Sequence, residues 1–206
     1  MYSIGADEVG RGAFAGPVCA GSVIMPPDME KAWKNNPKAL PVVIRDSKKM
    51  TALQREKSAV WIMQNAISYA VGEGSVERVN SAGIIDATNF AFNSAINETT
   101  NSCNVHVNKL FIDAFKLPDS DYFSLDKQEA ILHGEDHSIH IAAASIIAKV
   151  YRDSLMEKLS HEENNHVYQW QKNKGYGTKE HREAIKLYGI CKHHRIQYVT
   201  SSFSRA

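Results

Sequence analysis

The chain opens with an apolar, partly β-branched run, Tyr2 to Ala6, that reaches two adjacent carboxylates, Asp7 and Glu8. It then turns through Gly10-Arg11-Gly12 into a second apolar run from Pro17 to Met25. Two such runs joined by a glycine-rich turn predict a hairpin-like pair of strands, with the acids at the end of the first. An acidic pair running into a flexible, cationic turn is what a site needs if it must hold divalent metal and let a phosphodiester backbone come close.

The remaining pattern predicts strands and helices in alternation. Thr51-Ala52-Leu53-Gln54 has the form of a capping box, and Leu53, Val60, Met63 and Ile67 follow at helical spacing, so a helix of about five turns with these residues on its apolar face is expected. A short strand over residues 68–71, a helix over 84–96 and a buried strand over 105–113 follow. A short strand over 130–132 then leads to an Ala/Ile-rich helix over 139–159, whose small residues let its backbone lie close to a sheet. The fold class is therefore α/β. Residues 160–206 read as a helical, turn-rich C-terminal part of one domain spanning residues 1–206, since no repeat or low-complexity linker divides the chain.

Composition excludes several classes. Cys19, Cys103 and Cys191 are odd in number and far apart, so neither a disulfide framework nor a cysteine zinc site is expected, and a reducing cytoplasm fits best. The longest uncharged stretch, residues 12–27, is interrupted by Gly and Pro and falls short of a bilayer span. The acids at 7 and 8 spoil a signal-peptide reading of the start. The net charge of +1 hides an uneven distribution: residues 50–136 carry 6 Lys+Arg against 12 Asp+Glu, whereas residues 137–206 carry 11 against 6 and hold seven of the nine histidines. A polyanion would prefer the two ends of the chain to its acidic middle.

These residues carry a resemblance. Asp7-Glu8-Val9-Gly10-Arg11-Gly12-Ala13-Phe14-Ala15-Gly16-Pro17-Val18, Asp46-Ser47-Lys48-Lys49, Phe111-Ile112-Asp113 and Ala143-Ala144-Ser145-Ile146-Ile147-Ala148-Lys149-Val150 occur in order, followed by Gly175-Tyr176-Gly177-Thr178 and His194-Arg195. In this the sequence resembles the ribonuclease HII family from end to end. The resemblance implies an RNase H-like fold, a mixed central sheet flanked by helices with a helical C-terminal extension. It implies an endoribonuclease that cuts RNA paired with DNA, using Mg²⁺ or Mn²⁺ in a two-metal mechanism. RNA–DNA hybrids and ribonucleotide-containing duplex DNA are the implied partners. The protein is expected to be a monomer without membrane association, and no clear tail for a sliding clamp is visible.

Oxygen ligands from several strands suit Mg²⁺ better than a histidine cage does. Asp7, Glu8 and Asp113 match the first three family acids. The fourth falls on Glu135 by ungapped counting from Ser145, with Asp136 directly after it; a one-residue slip would restore the shorter side chain. Ala114 and Phe115 stand where the family often shows glycine. By resemblance, the Gly10-Arg11-Gly12 backbone sits on the ribose bearing the 2′-hydroxyl, with Arg11 pairing with phosphate or bracing the loop. Lys48 contacts phosphate, Ser145 and Lys149 lie near the nucleic-acid backbone, and Tyr176 packs on the following deoxyribose. His194 and Arg195 give cationic support.

Each assignment has a plainer rival. Acidic pairs at strand ends are commonly solvated turn residues, adjacent lysines are commonly surface residues, and Ser145 and Lys149 at i and i+4 are commonly cap or surface positions. Tyr176 suits core packing as well as stacking. His133, His137 and His140 superficially resemble a metal site but lack accompanying cysteine or anchoring acid, so surface histidine is the expected role. Two other functions remain open: a ribonuclease HIII, which typically has threonine where Arg11 stands and carries an added N-terminal domain, and a hybrid-binding module without chemistry.

Overall fold

The computed structural model describes residues 2–118, 120–162 and 164–204. Strand β1 (Tyr2–Val9) runs through both acids rather than stopping at them, and pairs antiparallel with β2 (Val18–Ile24). Helix α1 (Pro27–Asn35), unanticipated although Pro27, Asp28 and Glu30 in its first turn and Lys34 in its last are helix-end signals, follows, and then α2 (Ala52–Asn65). Strand β3 (Ser68–Gly74) pairs antiparallel with β2, α3 (Val76–Asn101) crosses the sheet, and β4 (Val107–Asp113) pairs parallel with β1. Strand β5 (Gln128–Ile131) completes a mixed five-stranded sheet of order β3-β2-β1-β4-β5. The single turn α4 (Gly134–His137) leads into α5 (Ile139–Ser160), and α6 (Trp170–Asn173), α7 (Lys179–Tyr188) and α8 (Ile196–Phe203) form the C-terminal part.

The sheet has helices on both faces, as alternating strands and helices require. On one face α5 lies directly on β1 and β2: a Cβ on Gly5 would overlap the His140 backbone, and one on Gly21 the Ala144 carbonyl. The small residues at 142–144 therefore place α5 against the strand that carries Asp7. That face is filled by Val23, Met25, Ile62, Ile139 and Ile146. On the other face Phe92 and Ile96 of α3 pack against Ile4, Ile24, Leu110 and Ile112.

Helix α2 corrects one expectation. Its capping box forms, with Gln54 N–H donating to Thr51 Oγ1 at 3.2 Å and Thr51 N–H donating to Gln54 Oε1 at 3.0 Å. Its 14 residues make just under four turns. Leu53, Val60 and Met63 are 61%, 55% and 40% exposed, and Ser58, Ala59 and Ile62 are buried instead. The helix packs through small residues toward the alanine face of α5, and Ser58 Oγ donates to the Val43 carbonyl at 2.7 Å. Ile67 lies beyond the helix, where its N–H bonds the Ile24 carbonyl and starts β3.

Helix α3 begins eight residues before the expected start because Ser75 is its N-cap, its Oγ accepting the Arg78 N–H at 3.2 Å, and Gly83 breaks the helix with φ +89° where the sequence pattern resumes. The C-terminal helices close a separate cluster, in which Phe14 and Ala15 of the glycine loop pack with Met156, Tyr168, Trp170 and Ile185. The start and the end of the chain thus meet under that loop.

Candidate active site

Parallel pairing of β1 and β4 builds the centre of the site. Ala6 is in register with Ile112, so Asp7 and Asp113, one residue further along each strand, emerge side by side. After β5 the chain turns at His133, which has φ +54°, and α4 swings Glu135 back to the same place. Asp7, Asp113 and Glu135 each offer a carboxylate oxygen within 4.8 Å of the others. Asp7 is 5% exposed and Glu135 6%.

Burial holds the Asp7 carboxyl well above the usual carboxylate range, and the Glu8 charge beside it pushes the same way against a hydrogen bond from Ser145. Glu8 is raised chiefly by burial, with Arg11 opposing, and Glu135 by burial and then by Asp113. Crowded, desolvated carboxylates with only oxygen donors are poorly satisfied alone and are well matched to a hard divalent cation. Glu8 projects from the next position of β1, lies outside that triplet, and has Arg11 at 3.8 Å.

Lys48 faces this cluster. Burial favours its neutral form, but Asp7, Glu135, Asp46 and Glu8 together outweigh that and hold its pKa above the ordinary lysine value. Asp46 places it by accepting the Lys48 N–H at 2.9 Å as the cap of a short 3-10 turn. Asp136, the rival fourth acid, points outward and is 3.2 Å from Lys49 Nζ. Glu135, not Asp136, therefore joins Asp7 and Asp113.

The glycine loop has one closed side and one open side. Gly10 adopts φ +84°, and a Cβ there would overlap Arg152 Nε, whereas a Cβ on Gly12 would meet nothing within 4 Å. Arg11 and Gly12 are exposed, and the Arg11 guanidinium lies 5.5 Å from the Phe115 ring centre. Tyr176 is half-buried, with Arg152 and Lys149 at 5.4 and 5.8 Å from its ring.

Several expected substrate contacts lie elsewhere. His194 and Arg195 are 1% and 0% exposed, so neither offers surface charge to a nucleic acid. His194 packs among Tyr168, Trp170 and His181, where burial and then His181 lower its pKa to about 4, and it is neutral near pH 7. Arg195 instead donates to the Gly16 and Arg11 carbonyls, both at 2.9 Å. Ser145 is also buried and bonds Ser47 Oγ at 3.0 Å, making it a support for Asp7 rather than a surface contact. Lys149 is held by Asp153 at 2.8 Å, which offsets its charge. His133 and His137 are exposed as expected, but His140 is buried, where its Nδ1 accepts the Met25 N–H at 3.1 Å.

Sequence reading missed Arg152. It is fully buried on α5 and donates to the carbonyls of Pro17, Lys174 and Ala15 at 2.9, 2.9 and 3.0 Å. Backbone acceptors so distant in sequence leave no local pattern that would flag it.

Comparison with known proteins places these features together. The chain matches the family described as Ribonuclease HII over residues 4–204. It is 41% identical over 198 residues to a ribonuclease HII from Caldanaerobacter subterraneus subsp. tengcongensis, covering 96% of this chain and 74% of that one. It is 39% identical over 191 residues to a ribonuclease HII from Pelagibacter ubique, covering 93% and 92%. Among solved structures, a Bst-RNase HIII in complex with Mn²⁺ superposes with a TM-score of 0.75 at 19% identity, covering all of this chain and 70% of that one. At that identity the likeness shows the RNase H-like fold alone, whereas the two sequence relatives carry the family.

Proposed function

Because the chain belongs to the ribonuclease HII family, and so is a divalent-metal-dependent hydrolase of RNA paired with DNA, we propose that it also incises duplex DNA on the 5′ side of single embedded ribonucleotides, leaving 3′-hydroxyl and 5′-phosphate ends. The observation that carries this reading is the convergence of Asp7, Asp113 and Glu135 beside Lys48 and the open tip of the glycine loop. On this reading residues 1–206 act as one catalytic unit, and three free cysteines suit a reducing, cytoplasmic setting.

Asp7, Asp113 and Glu135, with Glu8 beside them, would hold Mg²⁺ or Mn²⁺, which lowers the pKa of an attacking water and neutralises charge on the phosphate and leaving oxygen. The protein's own part is placement. Gly134 N–H donates to Asp113 Oδ1 at 2.8 Å and fixes that carboxylate, while Ser145 fixes Asp7. Lys48, kept cationic by the acids it faces, pairs with the scissile or neighbouring phosphate. Gly12 gives the ribose a surface without a side chain, so that backbone amide and 2′-hydroxyl can meet. Tyr176 supplies an aromatic face for the next sugar. Asp136 stays with Lys49 outside the chemistry.

The ribonuclease HIII alternative loses ground, because Arg11 stands in the loop and the sequence relatives at about 40% identity are ribonucleases HII. The decisive assay uses duplexes bearing none, one or four ribonucleotides with Mg²⁺ or Mn²⁺, followed by end-group analysis. Cleavage 5′ of a lone ribonucleotide supports the proposal. Cleavage confined to the four-ribonucleotide substrate would overturn it.

A further inference from the structure

A trans peptide sets the carbonyl of one residue antiparallel to the N–H of the next, so whatever grips the carbonyl also aims the amide. Arg195 is wholly buried, and its Nη1 donates to the Arg11 carbonyl at 2.9 Å while its Nε donates to the Gly16 carbonyl at 2.9 Å. One planar guanidinium thus ties both ends of the loop from below. The Arg11–Gly12 peptide turns its oxygen inward, and the Gly12 N–H faces outward.

An account of the loop amides singles out this tip. Ala13 N–H bonds the Gly10 carbonyl at 3.2 Å, Phe14 and Ala15 share the Gly175 carbonyl at 2.8 and 3.1 Å, and Gly16 bonds the His193 carbonyl at 2.9 Å. Among the described residues no acceptor takes the N–H of Arg11 or of Gly12; of these two only the Gly12 amide belongs to the peptide that Arg195 holds, and the space beside its Cα is open.

Arg195 is also costly to keep. Among the described residues no carboxylate lies within ion-pair reach of it, its neighbour Arg152 repels it, and its Nη2 is buried without a partner. Burial and Arg152 together bring its pKa down to about 10. A buried charge left in this state is weak evidence for stability and points to a role in geometry.

We propose that Arg195 is a specificity-positioning residue: by fixing the plane of the Arg11–Gly12 peptide it aims the Gly12 N–H outward, as the donor that meets the ribonucleotide 2′-hydroxyl oxygen. This rests on the reading of the loop given under Proposed function. Lysine cannot replace the brace, because a single ammonium lacks the planar fork that spans the Arg11 and Gly16 carbonyls. Arg152 grips Ala15, Pro17 and Lys174 instead, so its loss loosens the loop without freeing the Gly12 peptide.

The test compares binding, in Ca²⁺ to prevent turnover, to a duplex with one ribonucleotide and to the same duplex in all-DNA form. The wild-type protein is expected to prefer the ribonucleotide duplex by about tenfold, the worth of one good hydrogen bond. Arg195→Lys should bring that ratio close to one while all-DNA affinity changes by less than about threefold, and millimolar guanidinium should restore it in Arg195→Ala. Arg152→Lys should lower thermal stability and keep the ratio. A wild-type ratio in Arg195→Lys, or equal loss on both duplexes, overturns the proposal. In the wild-type protein the Gly12 amide should exchange rapidly when free and become protected by the ribonucleotide duplex alone; protection in the free protein also overturns it. A wild-type protein that binds both duplexes equally would instead sink the reading of the loop.

Discussion

The Gly134 N–H donates to Asp113 Oδ1 at 2.8 Å, tying the first residue of α4 to the last residue of β4. That bond decides which of two neighbouring acids enters the pocket. Glu135 is turned toward Asp7 and Asp113, and Asp136 toward Lys49. Glu135→Gln should therefore reduce Mg²⁺-dependent cleavage by roughly 10²–10³-fold, the usual cost of one electrostatic stabiliser. Asp136→Asn should stay within about threefold, because an exposed ion pair contributes little. Steady-state rates on one duplex decide it, and the reverse order would give the fourth position to Asp136.

Replacing Asp7 by Asn should abolish cleavage and yet raise the melting temperature of the metal-free protein at pH 7. The sign follows from its raised pKa: the folded state prefers the protonated carboxyl, so ionisation penalises folding increasingly as pH rises above the unfolded carboxylate value. Asparagine removes the charge and keeps the shape. Mg²⁺ should raise the melting temperature of wild type and leave Asp7→Asn nearly unmoved. Scanning calorimetry with and without the ion checks both, and a lower melting temperature for the metal-free variant would show that Asp7 stabilises the fold.

Much of this was legible from local signals. The opening strand that carries Asp7 and Glu8, though it runs one residue past them, the capping box, the alanine-rich helix and the strand that ends at Asp113 each rest on residues close in sequence, and each element is present. What local spacing could not give was anything decided by distant partners. Leu53, Val60 and Met63 keep perfect helical periodicity but face solvent, since the alanine surface of α5 selects Ser58 and Ala59 instead. Arg195 looked like a surface cation until its acceptors at residues 11 and 16 were brought beneath it.

Gly10 and Gly12 should respond differently to alanine. At Gly10 the positive φ and the Arg152 side chain leave no room, so Gly10→Ala should lower thermal stability and activity together. At Gly12 nothing lies within 4 Å, so Gly12→Ala should fold like wild type and raise KM by at least about tenfold, the new methyl meeting substrate rather than protein. Melting curves beside kinetics on a single-ribonucleotide duplex separate the two. An unchanged KM in Gly12→Ala would remove the loop tip from the substrate path.

Ala114, at the mouth of the site, holds φ +62°, a conformation that costs a residue with a Cβ about 1–2 kcal/mol. Its N–H still bonds the Ile131 carbonyl at 3.1 Å, so the backbone is fixed there by the end of β5. Ala114→Gly should therefore stabilise the fold by about 0.5–1 kcal/mol, allowing for the added entropy of the unfolded chain. Denaturant unfolding measures it, and destabilisation would mean that the methyl contributes more packing than the strained φ costs.

The hydrogen bonds beneath the loop determine the tautomers of two histidines and give the stability a pH dependence. Trp170 Nε1–H donates to His181 Nε2 at 3.1 Å, so His181 carries its proton on Nδ1, which lies 3.0 Å from the Tyr176 carbonyl. His194 Nε2, 3.2 Å from that same acceptor, must then be protonated, leaving its Nδ1 to accept the Cys191 N–H at 3.0 Å. Both rings are neutral and neither can take a second proton without losing a bond. Burial lowers both pKa values, that of His194 to about 4. As pH falls from about 6.5 toward 4 the unfolded chain binds protons that the folded chain refuses, so their contribution to stability is full above about 6.5, declines through that window and levels off below it. Asp7, Glu8 and Glu135, whose pKa values are raised, pull the opposite way at low pH. The clean measure is therefore a difference: the gap in unfolding free energy between wild type and His194→Gln should narrow between pH 7 and 4.5. A gap independent of pH would mean that His194 takes up its second proton alike in the folded and the unfolded chain, and the chain of tautomers would then be wrong.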